Sequence, residues 1–301
     1  MPGVSVQSIF VQKCRGSSRE RKKMMTPNFK LNNGVSVPAQ GIGTFLTKNG
    51  DEAARVIREA VEAGYRSIDT AMIYLNEEGV GRGIKECGIK REELYVTTKL
   101  WNDSHGYEET LRAFDASLKR LGLDYIDQYL IHWPGMTGSY LPTWKAFEKL
   151  YKEGRIRAIG VCNFIEPILK DLIQNCEIKP MVNQIECHPM FQPNDLIDFC
   201  QQNDIQVEAW RPIVWGKLDK EPIVEMAKKY GKSLVQITLR WEYQRGIRAV
   251  PKTTHKERMI ENLDIFDFEL TQEEMEKFRP LNTYNRTGES PDEFFETGTF
   301  E

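Results

Sequence analysis

Short apolar, β-prone runs alternate along this chain with longer runs whose apolar residues recur at helical spacing. The first kind predicts strands at 40–43, 67–69, 94–99, 126–132, 158–162, 181–186, 206–210 and 248–251. The second predicts helices near 51–63, 77–87, 107–121, 142–153, 166–175, 194–203, 221–230 and 234–244, so two helices separate the last two strands. A further helix near 271–279 follows the final strand. Ahead of the first strand, two short runs flank Asn32-Asn33-Gly34, a turn that favours positive φ and predicts a β-hairpin. Eight β-runs, each followed by a helix, predict an α/β fold: a closed (β/α)8 barrel with an N-terminal hairpin. The alternative is a doubly wound open sheet, which usually carries G-x-G-x-x-G after its first strand. Here Gly41-Ile42-Gly43 runs into Thr44-Phe45-Leu46, without that fingerprint.

No linker-like or low-complexity stretch interrupts residues 26–301, which are read as one barrel domain. Residues 1–25 stand apart and are expected to be a disordered basic tail, with an organelle-targeting arm as the alternative for an Arg- and Ser-rich segment. They carry a charge of +5, which leaves −8 on the remainder of a chain whose net charge is −3. A mildly acidic body argues against a nucleic-acid partner. The six cysteines are scattered without a C-x-x-C pair, which suits a reducing cytoplasm and argues against a metal site. No apolar run approaches the ~20 residues of a membrane helix. A cytoplasmic monomer is expected.

The stretch 64–81, GYRSIDTAMIYLNEEGVG, holds the first candidate chemistry. Gly64 stops a helix, a short strand ends in Asp69, and Tyr74 follows in a loop. Asn76-Glu77-Glu78 reads as the cap and first turn of the next helix. An acid and a phenol thus sit past the C-terminal end of a strand, where parallel barrels build their sites. Alone that spacing carries little. Other strand ends supply partners: Lys99, costly at the end of an apolar run unless paired, for which Asp69 is the neighbour. His132, Asn163, Gln184, Trp210 and Lys252 lie at the ends of later strands.

With these residues in view, the chain from about Phe29 onward resembles the aldo-keto reductase family. The likeness rests on GYRSIDTAMIYLNEEGVG, on LGLDYIDQYLIHWPG at 121–135, where Gln128 stands for the usual Leu, and on VPKTTHKERMIEN. It is strongest to the bacterial and protozoan branch of glyoxal and methylglyoxal reductases, prostaglandin F synthases and 2,5-diketogluconate reductases. The resemblance implies hydride transfer from NADPH to a small-molecule carbonyl substrate. It implies a catalytic set of Asp69, Tyr74, Lys99 and His132, with Tyr74 as general acid. A neighbouring ammonium should lower the phenol's pKa, Asp69 should hold Lys99, and a neutral His132 should orient the carbonyl oxygen. For the cofactor it implies Gly43, Thr44 and Asp69, with Cys162, Asn163 and Gln184 at the nicotinamide. Trp210 would stack there in place of the usual Tyr. Lys252, Thr253 and Arg258 would hold the 2′-phosphate, Thr254 would also contact the cofactor, and Glu261 and Asn262 would reach the adenine.

Two departures stand out. Cys162 replaces a Ser beside the nicotinamide, and Arg211 replaces the Ser or Ala of a W-S-P-L-like segment. Arg211 is expected either to clamp the cofactor pyrophosphate or to turn outward, with the clamp favoured. Phe45, Tyr74, Trp101, His132, Trp133 and Trp215 are expected to line the substrate pocket. Short connections after the fourth and seventh strands, and a short tail from Asn285 on, predict an open pocket. The competing reading is a catalytically idle NADPH-binding module of the same fold, which the retention of Tyr74 and Lys99 disfavours.

Overall fold

A computed structural model describes residues 26–135 and 138–291; the basic segment 1–25 lies outside the described residues. β1 (Asn28–Lys30) and β2 (Ser36–Pro38) pair antiparallel, with Phe29 opposite Val37. Gly34 turns the hairpin at φ 86°, where a side chain would be strained. The barrel strands follow in chain order: β3 (Ile42–Gly43), β4 (Ser67–Asp69), β5 (Tyr95–Leu100), β6 (Ile126–Ile131), β7 (Ile156–Cys162), β8 (Val182–Glu186), β9 (Gln206–Trp210) and β10 (Arg248–Ala249). Each pairs in parallel with the next. Parallel bridges from Gln40 to Ala249 and from Gly43 to Lys252 join the last strand to the first and close the barrel.

The helices of the outer ring are α1 (Asp51–Ala63), α2 (Glu77–Glu86), α3 (Tyr107–Leu121), α4 (Tyr140–Lys152), α5 (Glu166–Asn175), α6 (Asn194–Gln202), α7 (Glu221–Tyr230) and α8 (Leu234–Gln244). α9 (Lys256–Leu263) is an additional helix that the apolar pattern did not predict: only Met259 and Asn262 of its eight residues are buried. α10 (Gln272–Glu276) is shorter than the predicted 271–279, and a reciprocal cap between Thr271 and Glu274 starts it. None of the helices among the described residues is long and apolar enough to cross a membrane.

Glycines in α2 let three helices approach closely. A Cβ at Gly81 would lie 2.1 Å from the Leu121 carbonyl oxygen of α3, so the GVG of the 64–81 stretch is a packing device. The inside of the barrel is polar where strands face one another. Arg248 and Glu208 form a fully buried ion pair at 2.7 Å. Gln128 donates to both Glu208 oxygens at 3.1 Å and accepts from Tyr95 Oη at 2.8 Å. A leucine at 128 would leave that carboxylate and phenol short of partners, which gives the Gln128 departure its physical reason.

Candidate active site

Three strand ends converge. Asp69 closes β4 and sits opposite Thr97 of β5, so Lys99, two residues on, points to the same face. His132 follows β6, and its backbone N–H extends the ladder to the Leu100 carbonyl at 3.1 Å. Lys99 Nζ donates to Asp69 Oδ1 at 2.5 Å and to the Thr70 carbonyl at 3.0 Å, and is wholly buried. Gln184 Nε2 donates to the other Asp69 oxygen at 2.8 Å and to Glu208 Oε2 at 2.9 Å. The Asp69 carboxylate is therefore fixed on both sides, and it links the site to the Glu208–Arg248 pair below. Burial pulls the Lys99 ammonium down, but Asp69 overrides it and holds the group above its ordinary pKa.

Tyr74 ends a single 3₁₀ turn, Met72–Tyr74, which Leu75 terminates at φ 54°. Asn76 occupies the N-cap of α2 but makes no side-chain cap. Its amide accepts from Thr70 Oγ1 at 2.8 Å and donates to the Thr44 and Thr47 carbonyls, tying the Tyr74 loop to the loop after β3. The expected capping role is thus replaced by a loop-to-loop tie. Lys99 Nζ lies 5.2 Å from the Tyr74 ring centre. The Tyr74 ring packs at 5.1 Å against Phe45 and at 5.7 Å, edge on, against His132, which in turn meets Trp101 at 5.2 Å.

Burial pushes the Tyr74 phenol up to about 12; Lys99 pulls it down and Asp69 and Cys162 push it up. This corrects the expectation that the ammonium lowers the phenol below its usual value: the cation acts in the expected direction, and desolvation outweighs it. Burial, reinforced by Lys99, drives His132 well below 6.5, so its imidazole is neutral, and its Nδ1 has no hydrogen-bond partner among the described residues.

These groups open onto a cavity of about 530 Å³. Phe45, Tyr74, Trp101, His132, Trp133 and Trp215 all line it, as do Gly43, Asp69, Cys162, Asn163, Gln184, Trp210, Arg211 and Lys252. Asn163, at φ 63°, donates to the His132 carbonyl at 3.0 Å and to Cys162 Sγ at 3.2 Å, and accepts from Trp210 Nε1 at 2.9 Å. The indole of Trp210 is thereby fixed. Thr44 is buried, with its backbone N–H and its Oγ1 each donating to the Asp69 carbonyl at 3.0 Å. Thr253, Thr254, Arg258, Glu261 and Asn262 lie outside the cavity lining, on the segment after β10 and on α9. Lys252 and Arg258 are exposed, while Thr253 and Asn262 are buried.

Arg211 follows β9 in the left-handed region at φ 52°, in a loop where Val214 and Trp215 share that strained conformation. Its guanidinium donates to the Thr287 carbonyl and lies 4.3 Å over the Trp215 ring.

The C-terminal segment was not anticipated as part of the site. Thr287, Gly288 and Glu289 line the cavity. Glu186, fully buried at the end of β8, binds this strap: it accepts from Thr287 N at 2.7 Å, Thr287 Oγ1 at 2.6 Å, Gly288 N at 3.3 Å and His188 Nε2 at 3.1 Å. A Cβ at Gly288 would sit 2.4 Å from Trp210 Cη2, so only glycine fits there. The signal was available, since Glu186 ends an apolar strand just as Lys99 does.

A closed parallel barrel with a buried Asp–Lys pair beneath a tyrosine and a neutral histidine defines a class, and the comparisons agree. Residues 40–283 match the model of the aldo/keto reductase family. The chain belongs to the aldo/keto reductase family. It is 54% identical to the glyoxal reductase of Bacillus subtilis (strain 168), covering 88% of this chain and 96% of that protein. An aldo-keto reductase from a Medee basin deep-sea metagenome library superposes with a TM-score of 0.85 at 47% identity, over 88% of this chain and 98% of that one. The Bombyx mori aldo-keto reductase in complex with NADP gives 0.83 at 38% identity, over 89% and 97%.

Proposed function

We propose that this protein is an NADPH-dependent carbonyl reductase, acting on aldehydes, ketones or dicarbonyls with Tyr74 as general acid. The observation that carries the reading is the fully buried Lys99–Asp69 pair beside a half-buried Tyr74, with a neutral His132 at its flank. The residues present fit the cofactor. Lys252 and Arg258 are exposed cations at the end of the barrel and the start of α9, and neither has a carboxylate partner among the described residues. They are suited to the 2′-phosphate, as Trp210 is to the nicotinamide face. When bound, NADPH supplies the hydride.

The chain's own residues do the rest. The Tyr74 phenol, protonated throughout the physiological range, gives its proton to the carbonyl oxygen as negative charge develops there. The Lys99 ammonium stabilises the phenolate left behind, and Asp69, held by Gln184, keeps Lys99 in place and charged. Neutral His132 donates a hydrogen bond to the same carbonyl oxygen and orients it. The test is steady-state oxidation of NADPH with a panel of aldehydes, ketones and dicarbonyls. Turnover of several is expected, and no oxidation with any of them sinks the reading.

A further inference from the structure

Arg211 is a half-buried cation in the cavity wall, whereas Lys252, which also lines the cavity, is exposed to solvent. The other cation at the catalytic centre, Lys99, is matched by Asp69. Arg211 forms no ion pair among the described residues; its guanidinium has only the neutral Thr287 carbonyl and hydroxyl and the faces of Trp210 and Trp215. Two carboxylates lie near enough for their charge to be felt there, Glu186 and Glu289. Glu186 is occupied by four donors from Thr287, Gly288 and His188. Glu289 is exposed at the rim, where solvent screens it. Arg211 is half-buried, and burial is the largest influence on its charge, which is therefore under-compensated. The Tyr74 oxygen falls within the same field, and both residues line the same cavity. The backbone at Arg211, Val214 and Trp215 is left-handed, a conformation that persists only where the surrounding structure over-determines it.

We propose that Arg211 is the anion-recognising residue of the substrate pocket, so that favoured substrates are carbonyl compounds carrying a carboxylate beyond an apolar or aromatic body. The proposal rests on the reductase reading for its substrate class, but the anion site itself does not. A guanidinium over an indole offers a flat, partly desolvated fork that matches a carboxylate in two hydrogen bonds. Phe45, Trp101 and Trp215 supply the apolar walls for the body between the carboxylate and the carbonyl.

The experiment compares 4-carboxybenzaldehyde with its near-isostere 4-methylbenzaldehyde. In the native enzyme the charged aldehyde should have the higher kcat/KM by roughly tenfold, borne by KM, as one charge-assisted contact provides. Arg211→Met should bring the ratio close to one, and Arg211→Lys should restore part of it. Glu289→Gln, which leaves Arg211 in place, should raise the ratio about twofold, and the effect should shrink with salt. A ratio near one in the native enzyme overturns the proposal. So does an Arg211→Met variant in which both aldehydes weaken in proportion, because that is the signature of a structural role or of a cofactor clamp. A second arm needs no turnover: quenching of tryptophan fluorescence by benzoate against benzamide. Tighter benzoate binding that disappears in Arg211→Met sustains the anion site even if no aldehyde is reduced, and equal binding of the two probes removes it.

Discussion

Replacing Asp69 with asparagine changes one charge and almost no volume. Asp69 Oδ1 receives Lys99 Nζ at 2.5 Å and Oδ2 receives Gln184 Nε2 at 2.8 Å, all in the barrel interior. Asparagine keeps one oxygen for Lys99 and presents an N–H₂ to Gln184, itself a donor, so one hydrogen bond is lost and the ammonium loses its counter-charge. Removing one partner of a buried pair typically costs about 3–5 kcal/mol. With Thr70 still accepting from Lys99 at 3.0 Å, we expect the lower end, about 3 kcal/mol. That is a large share of a typical 5–15 kcal/mol, but survivable.

The pH dependence makes the test specific. In the native protein burial lowers the Lys99 pKa and Asp69 more than restores it, so the folded value is raised. The stability it contributes is present below the unfolded value of about 10.4, and the Lys99 contribution is flat from pH 6 to 9. In Asp69→Asn burial is opposed only by neutral acceptors such as the Thr70 carbonyl, the folded value is expected to fall below the unfolded one, and the unfolded chain then binds the extra proton. Stability of the variant relative to native should then rise with pH between those two values, with a slope of up to about 1.4 kcal/mol per pH unit. Urea unfolding of both proteins at pH 6, 7, 8 and 9 reads this directly. A variant as stable as the native protein, or a deficit that does not change with pH, would refute the account of Lys99 and Asp69.

Lys252 and Arg258 are exposed and lack carboxylate partners among the described residues, so NADPH should bind at least about tenfold more tightly than NADH, and Arg258→Ala should erode that preference by weakening NADPH alone. Equal dissociation constants by fluorescence titration would contradict this. Because His132 is held neutral well below 6.5, kcat should show no imidazole titration between pH 5.5 and 8, and an acid limb with a midpoint near 6.5 that disappears in His132→Gln would show the ring to be charged.

The barrel was legible because parallel strands buried on both faces write themselves as apolar runs, and Asp69, Lys99 and His132 were legible because such groups are costly at strand ends unless they meet. The register of β4 against β5 then brings Lys99 to Asp69 without further help. α9 escaped because a helix with two buried residues leaves almost no apolar period. The acidity of Tyr74 escaped because it is a contest between burial and charge whose balance depends on depth, which a residue list does not contain. The strap at Thr287 and Gly288 escaped for a different reason. It is held by Glu186, on a strand a hundred residues earlier, and by Arg211, and Gly288 fits only because Trp210 is already in place. The side-chain direction of Arg211 depends on that strap, so the expected pyrophosphate contact and the observed contact with Thr287 were not separable from sequence.

The claim that Tyr74 is the proton donor is tested most directly by Tyr74→Phe, measured for NADPH oxidation with an aldehyde and, in the same preparation, for NADPH affinity by fluorescence titration. On the proposed role the phenol acts only in the transition state, and its ring packs on Phe45 and His132, so kcat should fall by about 10²–10⁴-fold while the dissociation constant stays within about twofold. A variant that turns over at near-native rate with unchanged cofactor affinity would contradict the assignment.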